Sequence, residues 1–266
     1  TGGTGFLGNL IARRLLLNGD KVRIFDINPE PNKVADIEYV IGDIRDGNAI
    51  DKALHKIDLV HHNVALVPLT KLNKKFQDIN VDGTRRIMEL SIKRGVKGFI
   101  HMSSSAIYGA GQIAAIDLNT KPNPIEPYGR SKLKAEQIIK GMDDNSGIPL
   151  FIIRPRTILG EGRMGIFQIL FEWIKENKNI YTIGNGAGPF QFVHAHDLLD
   201  AYMLAIKSQK AGYYNVGTTK YSSIRQAYKN LIRHASSDSK VKCLPEKTTI
   251  KILNTLDKWN LSPLAP

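Results

Sequence analysis

The first eight residues constrain the fold more than any other part of the sequence. The run Thr1-Gly2-Gly3-Thr4-Gly5-Phe6-Leu7-Gly8 places glycines at positions 2, 5 and 8 and leads into an amphipathic stretch from Leu7 to Leu17. Glycines in a turn that opens a helix let backbone N–H groups approach a phosphate at the positive end of that helix. The spacing therefore predicts a pyrophosphate-binding turn followed by a helix.

An acidic residue follows this helix at the distance that a dinucleotide site requires. The run Lys21-Val-Arg-Ile-Phe-Asp26 has the pattern of a short strand, and Asp26 lies eighteen residues after Gly8. A carboxylate at this strand end can accept hydrogen bonds from the adenosine ribose and would repel a 2′-phosphate. We therefore predict NAD as the cofactor rather than NADP. The strand that should precede the glycine turn is missing, so we expect a truncated N-terminus, and the abrupt stop at Pro266 suggests the same for the C-terminus.

A tyrosine and a lysine four residues apart provide the first catalytic signal. Tyr128 and Lys132 lie on one face of a predicted helix, so the phenol is beside the ammonium. A nearby cation lowers the pKa of a tyrosine toward neutrality, where proton transfer is efficient. The pair alone is common by chance. The serine cluster Ser103–Ser105, which follows the apolar strand-like run 98–102, adds hydroxyls that can hold a substrate oxygen.

The order of these features resembles the extended short-chain dehydrogenase/reductase family, in its NAD-dependent epimerase/dehydratase branch. The resemblance covers nearly the whole chain. Further segments similar to motifs of that family are Asp43-Ile44, His62–Ala65, Asn80–Thr84, Arg154-Pro155, Phe192–Leu198 and Tyr214–Gly217. The resemblance implies an α/β fold, namely a Rossmann-type doubly wound parallel sheet with a small C-terminal substrate lobe. The alternation of predicted strands and helices also favours a parallel sheet covered on both faces.

The resemblance also implies roles for individual residues. Catalysis would fall to Ser104, Tyr128 and Lys132, with Ser105 as the less favoured position for the hydroxyl. Contacts to NAD would come from Gly2, Gly5, Phe6, Leu7, Gly8, Asp26, Asp43, Ile44, Val64, Ala65, Asn80, Tyr128, Lys132 and Pro155. Contacts to the substrate would come from Ser105, Thr157, Arg163 and Phe190.

Several positions depart from the family pattern and restrict the substrate. Ser105-Ala106 replaces the Asp-Glu pair of the sugar dehydratases, so the proton carriers for dehydration are absent. Thr157 replaces an asparagine and Phe190 an arginine that many nucleotide-sugar enzymes carry, although Arg156 or Arg163 could supply a cation for phosphate.

We expect an NAD-dependent epimerase whose small-molecule substrate is a nucleotide sugar. The alternatives are a dehydrogenase or reductase of a steroid-like or lipid-like alcohol or carbonyl, and a non-catalytic NAD-binding regulator. The intact set of Ser104, Tyr128 and Lys132 argues against the regulator.

Composition argues against several other classes of function. The net charge of +12 comes from scattered basic residues, densest at Lys71–Lys75 and Lys93–Lys97, and no nucleic-acid motif accompanies them. The single cysteine, Cys243, excludes an intramolecular disulfide and a multi-cysteine zinc site. His194 and His196 have only Asp197 as an acidic neighbour, so we expect no metal site. No apolar run of about 18 residues and no signal peptide is present, so we expect a cytoplasmic protein without membrane contact.

The expected organisation is one cofactor domain and one lobe. Residues 1–155 would form the NAD-binding domain and residues 156–266 mainly the substrate lobe, with 190–207 returning to the first domain. Helices 80–94 and 128–141 are similar to those that pair across a two-fold axis in this family. Their apolar residues, predicted to be exposed, would build the interface of a homodimer; we name Ile87, Leu90, Leu133 and Ile138.

Overall fold

The computed structural model describes residues 1–67, 73–109, 115–163 and 166–258. The basic cluster Lys71–Lys75 lies partly outside these residues. The sequence pattern also predicts helices at 71–76 and 164–177, whose first residues lie outside them as well. The chain divides into two compact units. The first comprises residues 1–156 and 195–216, and the second comprises 157–194 and the part from 217 onward.

The first unit alternates strands and helices. Its strands are β1 (Val22–Asp26), β2 (Ile37–Ile41), β3 (Leu59–His62), β4 (Gly98–Met102), β5 (Leu150–Pro155) and β10 (Gly212–Val216). Its α-helices are α1 (Phe6–Leu17), α2 (Gly47–Ala53), α3 (Asn73–Phe76), α4 (Thr84–Lys93), α5 (Pro127–Ser146) and α7 (Ala195–Lys207). A π-helical segment, Gln77–Gly83, joins α3 to α4, and a 3-10 turn, Ser105–Tyr108, follows β4.

The strands of this unit run parallel, as the doubly wound fold requires. β3, β4, β5 and β10 form one sheet in that spatial order, and β1 pairs with β2. The first two residues lie between β1 and β3, because Gly2 N–H donates to Phe25 O at 3.0 Å and Asn63 N–H donates to Thr1 O at 3.1 Å. A cleft of about 410 Å³ adjoins Thr1 and is lined by side chains of α1, β1 and β3. This parallel sheet, with helices between its strands, is the expected Rossmann-type α/β fold.

The core of the first unit corrects one prediction about the surface. Ile87 of α4 is only 1% exposed and packs with Met88, Phe99 and Ile139 in the main apolar cluster. The prediction that Ile87 is an exposed interface residue is therefore wrong. The helical period turns Ile87 and Met88 toward the sheet, while Leu90 on the flank of α4 is only partly buried.

The second unit contains short strand pairs and three helices. β6 (Thr157–Leu159) is parallel to β9 (Phe192–His194), and β7 (Ile180–Ile183) is parallel to β12 (Val241–Leu244). β8 (Pro189–Phe190) is antiparallel to β11 (Ser222–Ser223). The helices are α6 (Ile166–Lys175), α8 (Ile224–His234) and α9 (Glu246–Lys258). The part of 190–207 that lies in the first unit begins at Ala195, after β8 and β9.

Candidate active site

The glycine turn packs closely on neighbouring backbone, which is possible only because it lacks side chains. Gly2 has a φ of +69°, and a Cβ there would lie 2.7 Å from the backbone nitrogen of Val64. A Cβ on Gly8 would lie 2.0 Å from Gly2 O, so the turn packs directly on the first residues of α1. Gly5 is the N-cap of α1 and supplies no side-chain cap, which leaves this helix end to backbone groups. This backbone cradle fits the pyrophosphate of NAD.

Asp26 lies at the end of β1, next to this turn. Its carboxylate accepts hydrogen bonds from the backbone N–H of Thr4 at 3.2 Å and of Asn28 at 3.1 Å. A second acid, Glu30, is buried nearby and accepts from Asn9 Nδ2 at 2.8 Å and from Asn32 N–H at 3.0 Å. Sequence reasoning missed Glu30. Asp26 and Glu30 line the same small pocket, so two carboxylates lie where we predict the ribose of the cofactor.

Other predicted cofactor residues have protein partners in this structure. Asp43 forms a two-pronged ion pair with Arg45, at 3.0 Å from Nε and 2.5 Å from Nη2, and this hydrogen bonding lowers the pKa of Asp43. Ile44 is buried in the main core cluster. Val64 and Ala65 are half-buried in the loop after β3.

The buried side chain of Asn80 has a structural role, because it bonds two separate elements. Its Oδ1 accepts from Leu66 N–H at 2.8 Å, and its Nδ2 donates to Leu66 O at 3.2 Å and to Ser131 Oγ at 3.0 Å. Asn80 therefore ties the loop after β3 to α5.

The three predicted catalytic residues lie on elements that pack together. Tyr128 and Lys132 lie on the first two turns of α5, and Ser104 follows β4 as the N-cap of the 3-10 turn. Lys132 is 2% exposed, and its Nζ donates to Met102 O, the last residue of β4, at 2.7 Å. Gly129 packs on the same region, because a Cβ there would lie 2.6 Å from Ala106 O. The structure thus brings the start of α5 against the end of β4.

Burial sets the electrostatics of this region. Burial lowers the pKa of Lys132 to about 8, and the carboxylate of Glu136 acts in the opposite direction. Such a pKa brings Lys132 closer to the pH range in which its protonation state can change when a neighbouring group transfers a proton. Tyr128 is half-buried, with its ring centroid 6.3 Å from that of Phe76.

Sequence reasoning did not foresee the buried histidines next to Lys132. His62 and His101 stack with ring centroids 5.4 Å apart, and burial holds the pKa of both well below the ordinary value. His62 bonds Thr84 Oγ1 at 2.8 Å, whereas neither ring nitrogen of His101 has a partner among the described residues. His61 points to the opposite face of the sheet and bonds Tyr202 OH at 2.7 Å. These imidazoles are therefore neutral near pH 7.

The predicted substrate residues divide between the two units. Ser105 opens the 3-10 turn of the first unit and is half-buried. In the second unit, Thr157 begins β6, Arg163 follows it in an exposed turn, and Phe190 packs on Phe192 with ring centroids 4.8 Å apart.

Pro155 ends β5 in the first unit, and Arg156 follows it. Pro155 is paired with Val216 in the sheet of the first unit. The buried Nε of Arg156 has no hydrogen-bond partner among the described residues. An unpaired buried donor of this kind is the type of group that a phosphate satisfies.

The described residues contain neither a candidate metal-ion site nor a membrane-spanning helix. No group of three or more His, Cys, Asp or Glu side chains that could hold a metal ion occurs there. None of the helices in the described ranges is both long enough and apolar enough to cross a bilayer.

The chain is similar to known proteins in both sequence and fold. The sequence matches the family model described as "NAD dependent epimerase/dehydratase family" over residues 1–217. The uncharacterized protein y4nG of Sinorhizobium fredii is 40% identical over 266 residues, which are 100% of this chain and 67% of that protein. The UDP-glucose 4-epimerase of Lactobacillus helveticus is 30% identical over 84% of this chain and 77% of its own length. A solved structure of UDP-glucuronic acid 4-epimerase from Bacillus cereus, in complex with UDP-glucuronic acid and NAD, aligns with a TM-score of 0.81 at 25% identity, covering 92% of this chain and 84% of that one.

Proposed function

Because the chain belongs to the NAD-dependent epimerase/dehydratase family, we propose that it inverts a hydroxyl-bearing carbon of a nucleotide sugar. The observation that supports this most is the bond from buried Lys132 to Met102 O, since it joins the helix of Tyr128 to the strand end of Ser104. The UDP-sugar 4-epimerases among the similar proteins support a nucleotide sugar. The unpaired Nε of Arg156 supports an anionic substrate.

The residues present can carry out each proton movement of such a reaction. The glycine turn and Asp26 would hold NAD, and the chemistry that NAD would supply there is reversible hydride acceptance at the sugar carbon. Tyr128 accepts the proton of the sugar hydroxyl as that carbon is oxidised, and returns it when the hydroxyl forms again. Lys132 favours the phenolate form of Tyr128 through its positive charge. Ser104 donates a hydrogen bond to the sugar oxygen.

Epimerisation fits this site better than dehydration. Ser105 and Ala106 occupy the 3-10 turn after Ser104, and neither has a carboxyl group. Elimination of water from the sugar needs an acid and a base in addition to Tyr128.

A single assay tests the proposal against its alternatives. The purified protein is incubated with UDP-glucose, UDP-galactose or UDP-glucuronic acid without added NAD, and the sugars are separated by chromatography. We expect a mixture of epimers without accumulation of NADH. In a parallel arm with added NAD, net NADH formation from a steroid or simple alcohol would instead identify a dehydrogenase. Bound NAD without any turnover would identify a regulator, and either outcome would contradict the epimerase.

We also propose that the protein is a homodimer through the outer faces of α4 and α5. Leu90, Leu133 and Ile138 are half-buried there, and Ile87 is excluded because it belongs to the core. Replacing Ile138 with glutamate would place a charge in the interface, so we expect a shift from dimer to monomer in analytical ultracentrifugation. A wild-type protein that sediments as a monomer at micromolar concentration would contradict the dimer.

A further inference from the structure

One buried acid beside the catalytic residues has no part in the proposed reaction. Glu136 lies one helical turn after Lys132 on the same face of α5 and is 2% exposed. Its Oε1 accepts from Ser103 Oγ and from Arg154 Nε at 3.1 Å, and its Oε2 accepts from Arg154 Nη2 at 2.6 Å. Ser103 directly precedes Ser104. The carboxylate therefore connects α5 to the strand end that carries the catalytic hydroxyl.

Arg154 is itself fixed from several sides. Its Nη1 donates to Tyr108 OH at 2.9 Å, and Tyr108 OH donates to Asn215 Oδ1 at 2.9 Å. The guanidinium also lies over the ring of Tyr213, at 4.3 Å from the ring centroid. A buried ion pair loses much of its attraction to desolvation and is weak support for stability by itself. Such a fully connected pair next to Lys132 therefore suggests a functional role.

The charges around Lys132 identify what that role is. The ionisable groups that interact with its ammonium are Glu136 on α5, His62 on β3 and His101 on β4, and Tyr128 lies one helical turn before it on α5. Burial keeps both imidazoles neutral near pH 7. Among the described residues, Glu136 is thus the one negative charge that offsets the burial of Lys132.

We propose that Glu136 is a positioning residue of the active site, whose carboxylate keeps Lys132 protonated and which Arg154 and Ser103 hold in place. The role in turnover rests on the proposed epimerase function, whereas the effect on the Lys132 proton does not. A charged Lys132 is what favours the phenolate of Tyr128. Loss of the carboxylate charge should therefore act through Lys132 and not through substrate binding.

Two substitutions at this position separate charge from shape. Glu136→Gln keeps the side-chain shape and removes the charge, whereas Glu136→Asp keeps the charge and shortens the side chain. Removing an opposite charge at close range lowers the pKa of a lysine by about one unit or more. We expect the alkaline limb of kcat for UDP-sugar epimerisation to move down by about one pH unit in Glu136→Gln, with little change in KM. In Glu136→Asp the limb should stay in place even though kcat falls.

A second measurement does not depend on the sugar. The Lys132 side chain is followed by NMR in lysine-labelled protein, with Lys132→Arg used to assign its signal, and its titration midpoint is measured without substrate. We expect Glu136→Gln to lower this midpoint by about one pH unit and Glu136→Asp to leave it unchanged. If wild-type protein epimerises UDP-sugars and neither the midpoint nor the kcat limb moves in Glu136→Gln, the role of Glu136 is refuted and the function stands. If no nucleotide sugar is converted, the function fails and the titration still decides whether Glu136 controls the Lys132 proton.

Two further variants distinguish an effect on the Lys132 proton from a loss of stability. Glu136→Gln leaves Arg154 buried without a counter-charge, and the double variant Glu136→Gln/Arg154→Met removes both charges together. We expect the double variant to lower the Lys132 midpoint as the single one does, with a melting temperature closer to wild type. Glu89→Gln removes an exposed carboxylate from α4 and is the matched control, which should change neither readout. A Lys132 midpoint that follows the melting temperature across the variants, and not the charge at position 136, would overturn the proposal.

Discussion

Two arginine–carboxylate pairs in the first unit have nearly the same geometry and opposite surroundings. At the proposed cofactor end of the unit, Arg45 Nη2 lies 2.5 Å from Asp43 Oδ2, and the two side chains are 52% and 26% exposed. At the proposed catalytic end, Arg154 Nη2 lies 2.6 Å from Glu136 Oε2, and the side chains are 8% and 2% exposed. Water screens the first pair, whereas the second must be satisfied by protein groups alone.

The two ends of the unit use their charges for different tasks. The cofactor end relies on glycine backbone and on acids that remain near the surface, such as Asp26 and Asp43. The catalytic end buries Lys132, Glu136 and Arg154 together. Binding a charged cofactor needs accessible groups, whereas changing the proton affinity of a side chain needs burial. Exposure, and not residue type, therefore distinguishes the proposed cofactor-binding role from the proposed catalytic role.

The largest expected effect is the loss of the phenolic oxygen at the catalytic end. Tyr128→Phe keeps the ring and removes the group that moves the proton, so turnover should fall by roughly 10²–10⁴. NAD affinity should remain almost unchanged, because the glycine turn and Asp26 at the other end are intact. Steady-state kinetics and NAD titration measure the two quantities. Near-normal turnover in this variant would remove the basis for the proposed mechanism.

The serines give a finer version of the same test. Ser104→Ala should mainly reduce turnover, and Ser105→Ala should reduce it less if the hydroxyl assignment is correct. The reverse order would move the catalytic hydroxyl to Ser105.

The next largest expected effect is the difference in stability between variants of the two ion pairs. Arg154→Met leaves Glu136 buried without its partner, so the free energy of unfolding should fall by about 3–5 kcal/mol. Arg45→Met, the matched substitution in the exposed pair, should leave the stability without measurable change. Chemical denaturation followed by circular dichroism measures both. Equal losses in the two variants would show that burial does not distinguish the pairs.

The buried histidines predict how stability depends on pH. Burial holds the pKa of His101 well below its ordinary value, so the folded state stays neutral while the unfolded chain takes up a proton below about pH 6.5. Stability is therefore complete above that pH and is lost as the pH falls, at about 1.4 kcal/mol per pH unit for each such histidine. His101→Leu should make the acid-induced loss shallower by about that amount. His55→Gln, at an exposed position, is the control, and an unchanged slope in His101→Leu would contradict the prediction.

The smallest effect concerns cofactor choice at the accessible end. Asp26→Asn removes one negative charge from the ribose site, so NADP should bind roughly tenfold more tightly relative to NAD. Some preference should remain, because Glu30 lines the same pocket. Titration with both cofactors measures the ratio. Wild-type protein that binds NADP as tightly as NAD would show that these acids do not discriminate.

Local sequence was sufficient for the elements that depend on neighbours in the chain. The glycine spacing predicted the turn before α1, and the spacing of Tyr128 and Lys132 placed them on one helix. The same spacing argument reaches Glu136, four residues after Lys132, but the sequence does not show that a carboxylate at that position is buried. The strands β6, β8, β11 and β12 have only two to four residues each, which is too few for an alternating pattern to indicate a strand.

The sequence by itself indicated the fold class, the cofactor and the candidate catalytic residues, because its short motifs resemble those of a known family in residue type and order. Only the tertiary structure decided which side chains lose their water. Arg154 bonds Glu136, eighteen residues away in sequence, and Asn80 bonds Ser131, 51 residues away. Ile87 is buried against the sheet and does not face a second copy of the chain. Burial depends on how distant elements pack, and burial is what makes Lys132 and His101 differ from the same residues in water.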